Sequence, residues 1–116
     1  MNRSLAQGAR ITKAREYAHI FQKGIRSQGK FWKLIAISSE KANSRLGLAI
    51  SKKICKRAVD RNLFKRLARE TFRQHRDDFG LLDFVVMIKK IPNTNNQELI
   101  LDLLSLLQNA KRGLKS

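Results

Sequence analysis

The sequence has one cysteine, Cys55, one proline, Pro92, and 9 acidic residues against 25 lysines and arginines. A single cysteine allows no internal disulfide and no cysteine-rich zinc site. It fits a reducing compartment, so the expected location is the cytoplasm. No apolar run reaches the roughly 18–20 residues of a membrane helix. The start, M-N-R-S-L-A-Q-G-A-R, has no apolar stretch after its charge and does not read as a secretory signal. No repeat or low-complexity tract is present. The shortage of acid is the most informative absence. The formal net charge is +16, and self-repulsion of that size opposes folding unless an anionic partner balances it. Nucleic acid is the first such partner to consider, because a pI near 11.0 is its usual footprint. A membrane surface is the second.

With 116 residues, 42% of them hydrophobic, the chain can bury a core and reads as one domain, 1–116. Residues 1–10 read as a basic tail. In I-T-K-A-R-E-Y-A-H-I-F-Q-K-G the spacing of Tyr17, Ile20 and Phe21 predicts a helix over 13–23, capped by Thr12 and closed by a left-handed Gly24. F-W-K-L-I-A-I-S (31–38) and R-L-G-L-A-I-S (45–51) read as strands forming a hairpin about a turn at 40–44. Residues 24–29 contribute a short strand or a loop before them. A basic helix follows over 57–76, then an apolar strand, D-F-V-V-M-I-K-K (83–90), ended by Pro92 and N-T-N-N. Asn95 and Glu98 stand where a capping pair would open a last helix, 96–110. Its wide leucine stripe should lie on a sheet, and 111–116 read as a tail. The order is an α+β sandwich, a small sheet with helices packed on it.

The basic helix carries the functional signal. Arg57, Arg61, Lys65, Arg69 and Arg73 recur every fourth residue. A step of four drifts only about 40°, so they sweep a band of roughly 160°, with Asn62 and Arg66 at its edge. Val59, Leu63 and Leu67 fall on the other side, with Phe64 and Thr71 near them. A helix laced with salt bridges alternates signs, but Asp60 and Glu70 cannot pair so many cations. Arginine's planar fork suits phosphate oxygens. Lys52, Lys53 and Lys56 continue the band off the helix, and Lys89 and Lys90 lie at the end of a strand. A DNA-reading helix would offer mixed polar side chains to base edges. This face is nearly all Arg and Lys, so no DNA partner is expected.

R-N-L-F-K-R-L-A-R-E-x-F-R resembles the signature helix of the bacterial ribonuclease P protein component, which runs roughly R-N-R-x-K-R-x-x-R-E. Arg61, Asn62, Lys65, Arg66, Arg69 and Glu70 match it position by position. G-L-A-I-S-K-K, T-K-A-R-E-Y-A-H-I-F-Q-K-G and D-F-V-V-M-I-K-K are similar to three further family segments, in the same order. The resemblance spans roughly residues 10–110. Leu63 stands at the signature's second arginine, and Cys55 at a position usually held by glycine.

The resemblance implies a fold like domain 2 of ribosomal protein S5, order α-β-β(-β)-α-β-α, with a left-handed β-α-β crossover that general topology rules disfavour. It implies the protein subunit of a ribozyme that removes the 5′ leader from precursor tRNA. The RNA subunit is then the catalyst and uses Mg2+, while the protein binds no cofactor of its own. The implied partners are the ribonuclease P RNA and precursor tRNA, with no membrane. The implied contacts to the RNA subunit are Arg57, Arg61, Asn62, Lys65, Arg66, Arg69 and Arg73. The implied contacts to the leader, in a cleft between the first helix and the sheet, are Tyr17, Phe21, Lys52, Lys53, Lys56, Lys89 and Lys90. Tyr17 and Phe21 read equally as core. One of Phe31 and Trp32 belongs in the core, and Phe64 and Phe72 read as core. A purely structural RNA binder, such as a small ribosomal protein, shares the size and charge. A protein nuclease would need clustered carboxylates or a histidine pair. His19 and His75 lie on different helices, and Asp77, Asp78 and Asp83 read as a loop. Basic neighbours could lower the pKa of Cys55, but nothing beside it reads as a nucleophilic site.

Overall fold

The computed structural model describes residues 10–39, 44–75 and 81–115. Its elements are α1 (Ala14–Lys23), β1 (Ile25–Gln28), β2 (Trp32–Ser38), β3 (Arg45–Leu48), α2 (Ala58–His75), β4 (Leu82–Ile88) and α3 (Asn96–Lys115). The architecture is the expected α+β sandwich, and residues 25–28 are a strand rather than a loop. The last helix continues through Gly113 to Lys115, so 111–115 are not a tail.

The expected hairpin between the strands at 31–38 and 45–51 does not form. The sheet order is β1-β2-β4-β3. β2 makes its hairpin with β1, pairing Ile25 with Ala36 and Gln28 with Lys33. β4 enters between β2 and β3, antiparallel to the first and parallel to the second. Burial explains this. β2 and β4 present apolar side chains to both faces, and Leu34, Ile35, Phe84, Val85 and Val86 are fully buried. Such strands belong at the centre of a sheet. β3 is short, carries Gly47, and takes an edge. The connection β3–α2–β4 is the parallel β-α-β unit.

Alternation along the strands splits the core in two. Trp32, Leu34, Ala36, Leu46, Phe84, Val86 and Ile88 face α2 and α3, and pack with Phe64, Leu67, Phe72, Leu99, Leu103 and Leu107. Ile35 and Val85 face the other way, toward Ile11 and Ile20. Trp32, rather than Phe31, is the fully buried member of that pair, and its indole N–H donates to the Leu99 carbonyl at 2.9 Å.

Two details of α1 differ from expectation. Its N-cap is Lys13 rather than Thr12, without a side-chain cap bond, and Gly24 is extended (φ −74°, ψ 162°) rather than left-handed. Close approach makes Gly24 a glycine. A Cβ there would lie 2.4 Å from Ile35 Cγ2 and 2.7 Å from the Ile20 carbonyl oxygen. The α3 cap forms as read: the Asn95 side chain accepts from the Glu98 N–H at 2.9 Å, and the Glu98 carboxylate accepts from the Thr94 hydroxyl.

Asp102 ties α3 to the β1–β2 turn. Its carboxylate accepts the backbone N–H groups of Lys30, Phe31 and Trp32 at 3.0, 3.0 and 3.3 Å. Gly29 lies so close that a Cβ would sit 2.4 Å from the carboxylate oxygen. Asp102→Ala should therefore destabilise the domain by about 2–3 kcal/mol, since charge-assisted bonds are lost and a half-buried turn loses its acceptor. Asp102→Asn should cost less. Urea unfolding followed by circular dichroism measures both.

Candidate nucleic-acid interface

α2 buries Phe64, Leu67, Ala68, Thr71 and Phe72. Taking the centre of that face as zero, Arg61, Lys65, Arg69 and Arg73 fall at about 60°, 100°, 140° and 180°, with Asn62 and Arg66 between and just beyond. The cations thus form one flank rather than a ring. Asn62 and Arg66 are exposed, while Arg61, Lys65, Arg69 and Arg73 are half-buried. Val59, expected on the apolar side, is 60% exposed, because it lies nearly opposite the buried face. Leu63 lies on the other flank and packs at the margin of the main core. α3 packs beside α2, whereas Arg69 lines a depression with Leu46 and Leu48 of β3. The basic flank is therefore the one turned toward the sheet edge. Among the described residues one ion pair touches it, Arg57 to Asp60 at 3.8 Å.

Lys52, Lys53, Lys56 and Arg57 lie in the loop before α2 and are exposed. Arg61 has a second task there. Its guanidinium donates to the carbonyls of Cys55 and Lys56, both at 2.9 Å, and so pins the loop to the helix. Cys55 is buried. Burial, with Asp60 adding to it, pushes the thiol's pKa up despite Arg61. This reverses the expectation that basic neighbours would lower it, because desolvation outweighs partly solvated charge.

On the opposite face, α1 crosses the sheet and leaves part of it uncovered. Tyr17, Phe21, Ala49 and Met87 are half-buried there, against Ile20, Ile35 and Val85. Tyr17 is anchored. Its hydroxyl accepts the Leu48 N–H at 3.0 Å and lies 3.1 Å from the Ile11 carbonyl oxygen, to which it donates. Its ring lies over Gly47, where a Cβ would come within 2.9 Å. Phe21 is less constrained. Arg26 lies over its ring, 5.9 Å from the centroid, and donates to the Phe21 carbonyl at 2.7 Å. Because β3 and β4 run parallel, Lys52–Lys53 and Lys89–Lys90 leave the sheet at the same end. The start of antiparallel β2 lies there too, so Lys30 and Lys33, both exposed, join them.

At the sheet's other end Arg45 joins three elements. It forms a bidentate pair with Asp83 of β4 (3.1 and 2.8 Å) and a single bond to Glu16 of α1 (2.8 Å). Asp83, grouped with Asp77 and Asp78 as loop counter-charge but also the first residue of the strand read at 83–90, is a buried residue of β4. The hydrogen bond from Arg45 holds the Glu16 carboxyl below its usual range, against partial burial. The bond to Asp83 raises the Arg45 pKa further above its ordinary value. Asp77 and Asp78 lie outside the described residues. Among the described residues no three His, Cys, Asp or Glu side chains converge into a metal-holding group, and no helix is long and apolar enough to cross a membrane.

Comparison with known proteins places this geometry. The family model described as Ribonuclease P matches residues 5–111. The chain belongs to the ribonuclease P protein family. It is 39% identical over 108 residues to the ribonuclease P protein component of Vesicomyosocius okutanii, covering 93% of this chain and 96% of that one. It is 41% identical over 91 residues to that of Vibrio campbellii, covering 78% and 77%. The ribonuclease P protein of Staphylococcus aureus superposes with a TM-score of 0.81 at 27% identity over 89% of this chain and 95% of that one. That of Thermotoga maritima superposes at 0.78 and 26% identity, over 86% and 96%. Membership makes this chain a protein component of a ribonuclease, an RNA-binding protein of tRNA processing.

Lys33, Arg26 and Arg10 lie beside the candidate residues without being among those that the sequence suggests. Lys33 had a signal, as the lone charge inside W-K-L-I-A-I-S. Arg10 had none, and appears only because it bridges to Leu46 beside β3 instead of belonging to a tail.

The Glu16 carboxyl titrates lower when folded than when unfolded. Its contribution is therefore complete above its ordinary value of 4.5 and is lost as pH falls through the lower folded value. The melting temperature should drop between about pH 5 and pH 3. Glu16→Gln should start lower and fall less steeply over the same window, as read by thermal denaturation.

Proposed function

We propose that this chain binds the catalytic RNA subunit of ribonuclease P and the 5′ leader of precursor tRNA. It thereby promotes Mg2+-dependent endonucleolytic removal of the leader, leaving the mature tRNA 5′ end. The observation that carries this reading is the one-sided cationic flank of α2. Five arginines and lysines recur at four-residue spacing, and a single long ion pair touches them among the described residues. Each like-charge step repels by a few tenths of a kcal/mol, so the flank is at its most stable against a polyanion.

Arg57, Arg61, Asn62, Lys65, Arg66, Arg69 and Arg73 take the RNA subunit by its phosphates, with affinity falling steeply as salt rises. Arg61 also shapes the loop that presents Lys56 and Arg57. The leader lies on the uncovered sheet face beside α1. Phe21 stacks on a base there, Tyr17 holds α1 to β3 and offers its ring edge, and Lys52, Lys53, Lys56, Lys89 and Lys90 neutralise phosphates at the sheet's end. The Mg2+ belongs to the RNA, which carries the catalytic groups. The protein contributes charge and position. We place its action in the cytoplasm, with residues 1–116 working as one domain and with neither DNA nor a membrane as partner.

Adding this chain to a bacterial ribonuclease P RNA at low Mg2+ should restore leader removal, and the chain alone should cleave nothing. Binding without any gain in cleavage would favour a purely structural RNA-binding role. Arg66→Glu with Arg69→Glu should weaken RNA-subunit binding by at least about a hundredfold, at 1.5–3 kcal/mol for each charged contact, with little change in melting temperature. Phe21→Leu should cut the preference for precursor over mature tRNA about tenfold, one lost stack being worth about 1–3 kcal/mol. Tyr17→Phe should chiefly lower stability, since it removes only the hydroxyl.

A further inference from the structure

We propose that Arg10 and Arg69 hold one phosphate group of an RNA chain between them at the outer edge of β3. This rests on the reading that the α2 flank binds RNA, and it adds a residue and a site to that flank. Arg10 precedes α1 and bridges in parallel to Leu46, and the next residue, Ile11, donates its N–H to the Leu46 carbonyl at 2.9 Å. This anchoring fixes the Arg10 backbone against the sheet edge. Arg69 arrives from the other side, on α2. Both arginines line one depression of about 110 Å³, whose other walls include Ile11, Tyr17, Leu46 and Leu48.

The chemistry of that depression is one-sided. Two arginines from different parts of the chain line it, and neither has a carboxylate within ion-pair distance among the described residues. Its floor is apolar, and the hydroxyl of Tyr17 is already engaged with the backbone of Leu48 and Ile11. The volume would hold about three or four waters at liquid density, which is room for a tetrahedral phosphate with its sugar and base outside. Guanidinium forks approaching from two sides match phosphate oxygens that lie on different sides of one phosphorus. The site also lies between the two surfaces described above. Tyr17 reaches it from the α1 face and Arg69 from the α2 flank, so an RNA strand held there would pass around the β3 edge where Arg10 and Ile11 lie.

A shared phosphate makes a specific demand: the two arginines must act on the same contact. The test is a double-mutant cycle on binding of a bacterial ribonuclease P RNA to the full chain, over a series of salt concentrations. The variants are Arg10→Gln, Arg69→Gln and the pair, with Arg66→Gln combined with Arg10→Gln as the control. Glutamine keeps most of the stem, and no carboxylate loses its partner, so the melting temperature should hold or rise slightly at low salt. Each single variant should weaken binding about tenfold. The double variant should weaken it no more than about twofold beyond the stronger single. The salt slope of the double should fall by about 0.7–0.9, the value for one phosphate. The control pair should multiply. A double variant that loses about a hundredfold, with twice the slope change, would mean two separate phosphates and overturn the proposal. So would an Arg10→Gln chain that binds normally. If Arg66→Gln and Arg69→Gln both bind normally, the α2 flank reading fails as well, and that outcome is distinct from a failure of Arg10 alone.

Discussion

Asp102, Glu16 and Asp83 are three of only nine acidic residues, and each is turned to the architecture rather than to the surface cations. Asp102 gathers three backbone N–H groups at the β1–β2 turn. Glu16 and Asp83 clamp Arg45 between α1, β3 and β4. Glu98 helps open α3. Among the described residues that leaves only Asp60, 3.8 Å from Arg57, and Glu70 to set against the cations of α2. The same scarcity thus holds the fold together and leaves a cationic flank that an anionic polymer can complete.

The sheet then decides where that flank points. β4 lies between β2 and β3, which places α2 near the β3 edge and α3 over β1 and β2. One side of α2 is covered by α3 and carries Leu63. The other is open and carries the arginines. Leucine at the position where the family signature has arginine therefore falls on the covered side, where packing favours it. On the reverse face, α1 is short enough to leave apolar surface beside Phe21 uncovered, and the parallel run of β3 and β4 gathers lysines at one end of it.

Much of this was legible in the sequence. The helices, the apolar strand at 83–90 and the capping pair at Asn95 and Glu98 follow from local periodicity and local hydrogen bonding. The family resemblance lay in a run of closely spaced residues, where a short motif retains its meaning. The errors came from non-local physics. The strands at 31–38 and 45–51 are near in sequence and read as partners, yet the doubly buried β4 displaces that pairing. Gly24 looked like a left-handed cap and is in fact a close contact with Ile35. Basic neighbours pointed to an acidic Cys55 thiol, and burial reversed the direction.

By itself the sequence determined the charge, the helical spacing that lines up Arg57 to Arg73, the apolar patterns that bury each element, and membership of the family. These are properties of composition and of steps of a few residues, which the chain carries whatever its partners. Only the tertiary structure decided which flank of α2 is open, that Arg61 serves its own loop as well as the surface, and that Tyr17 is an anchor. It alone brought Arg10 beside Arg69. Those depend on strand order and on which buried surfaces compete for the centre of the sheet, and no local spacing encodes that competition.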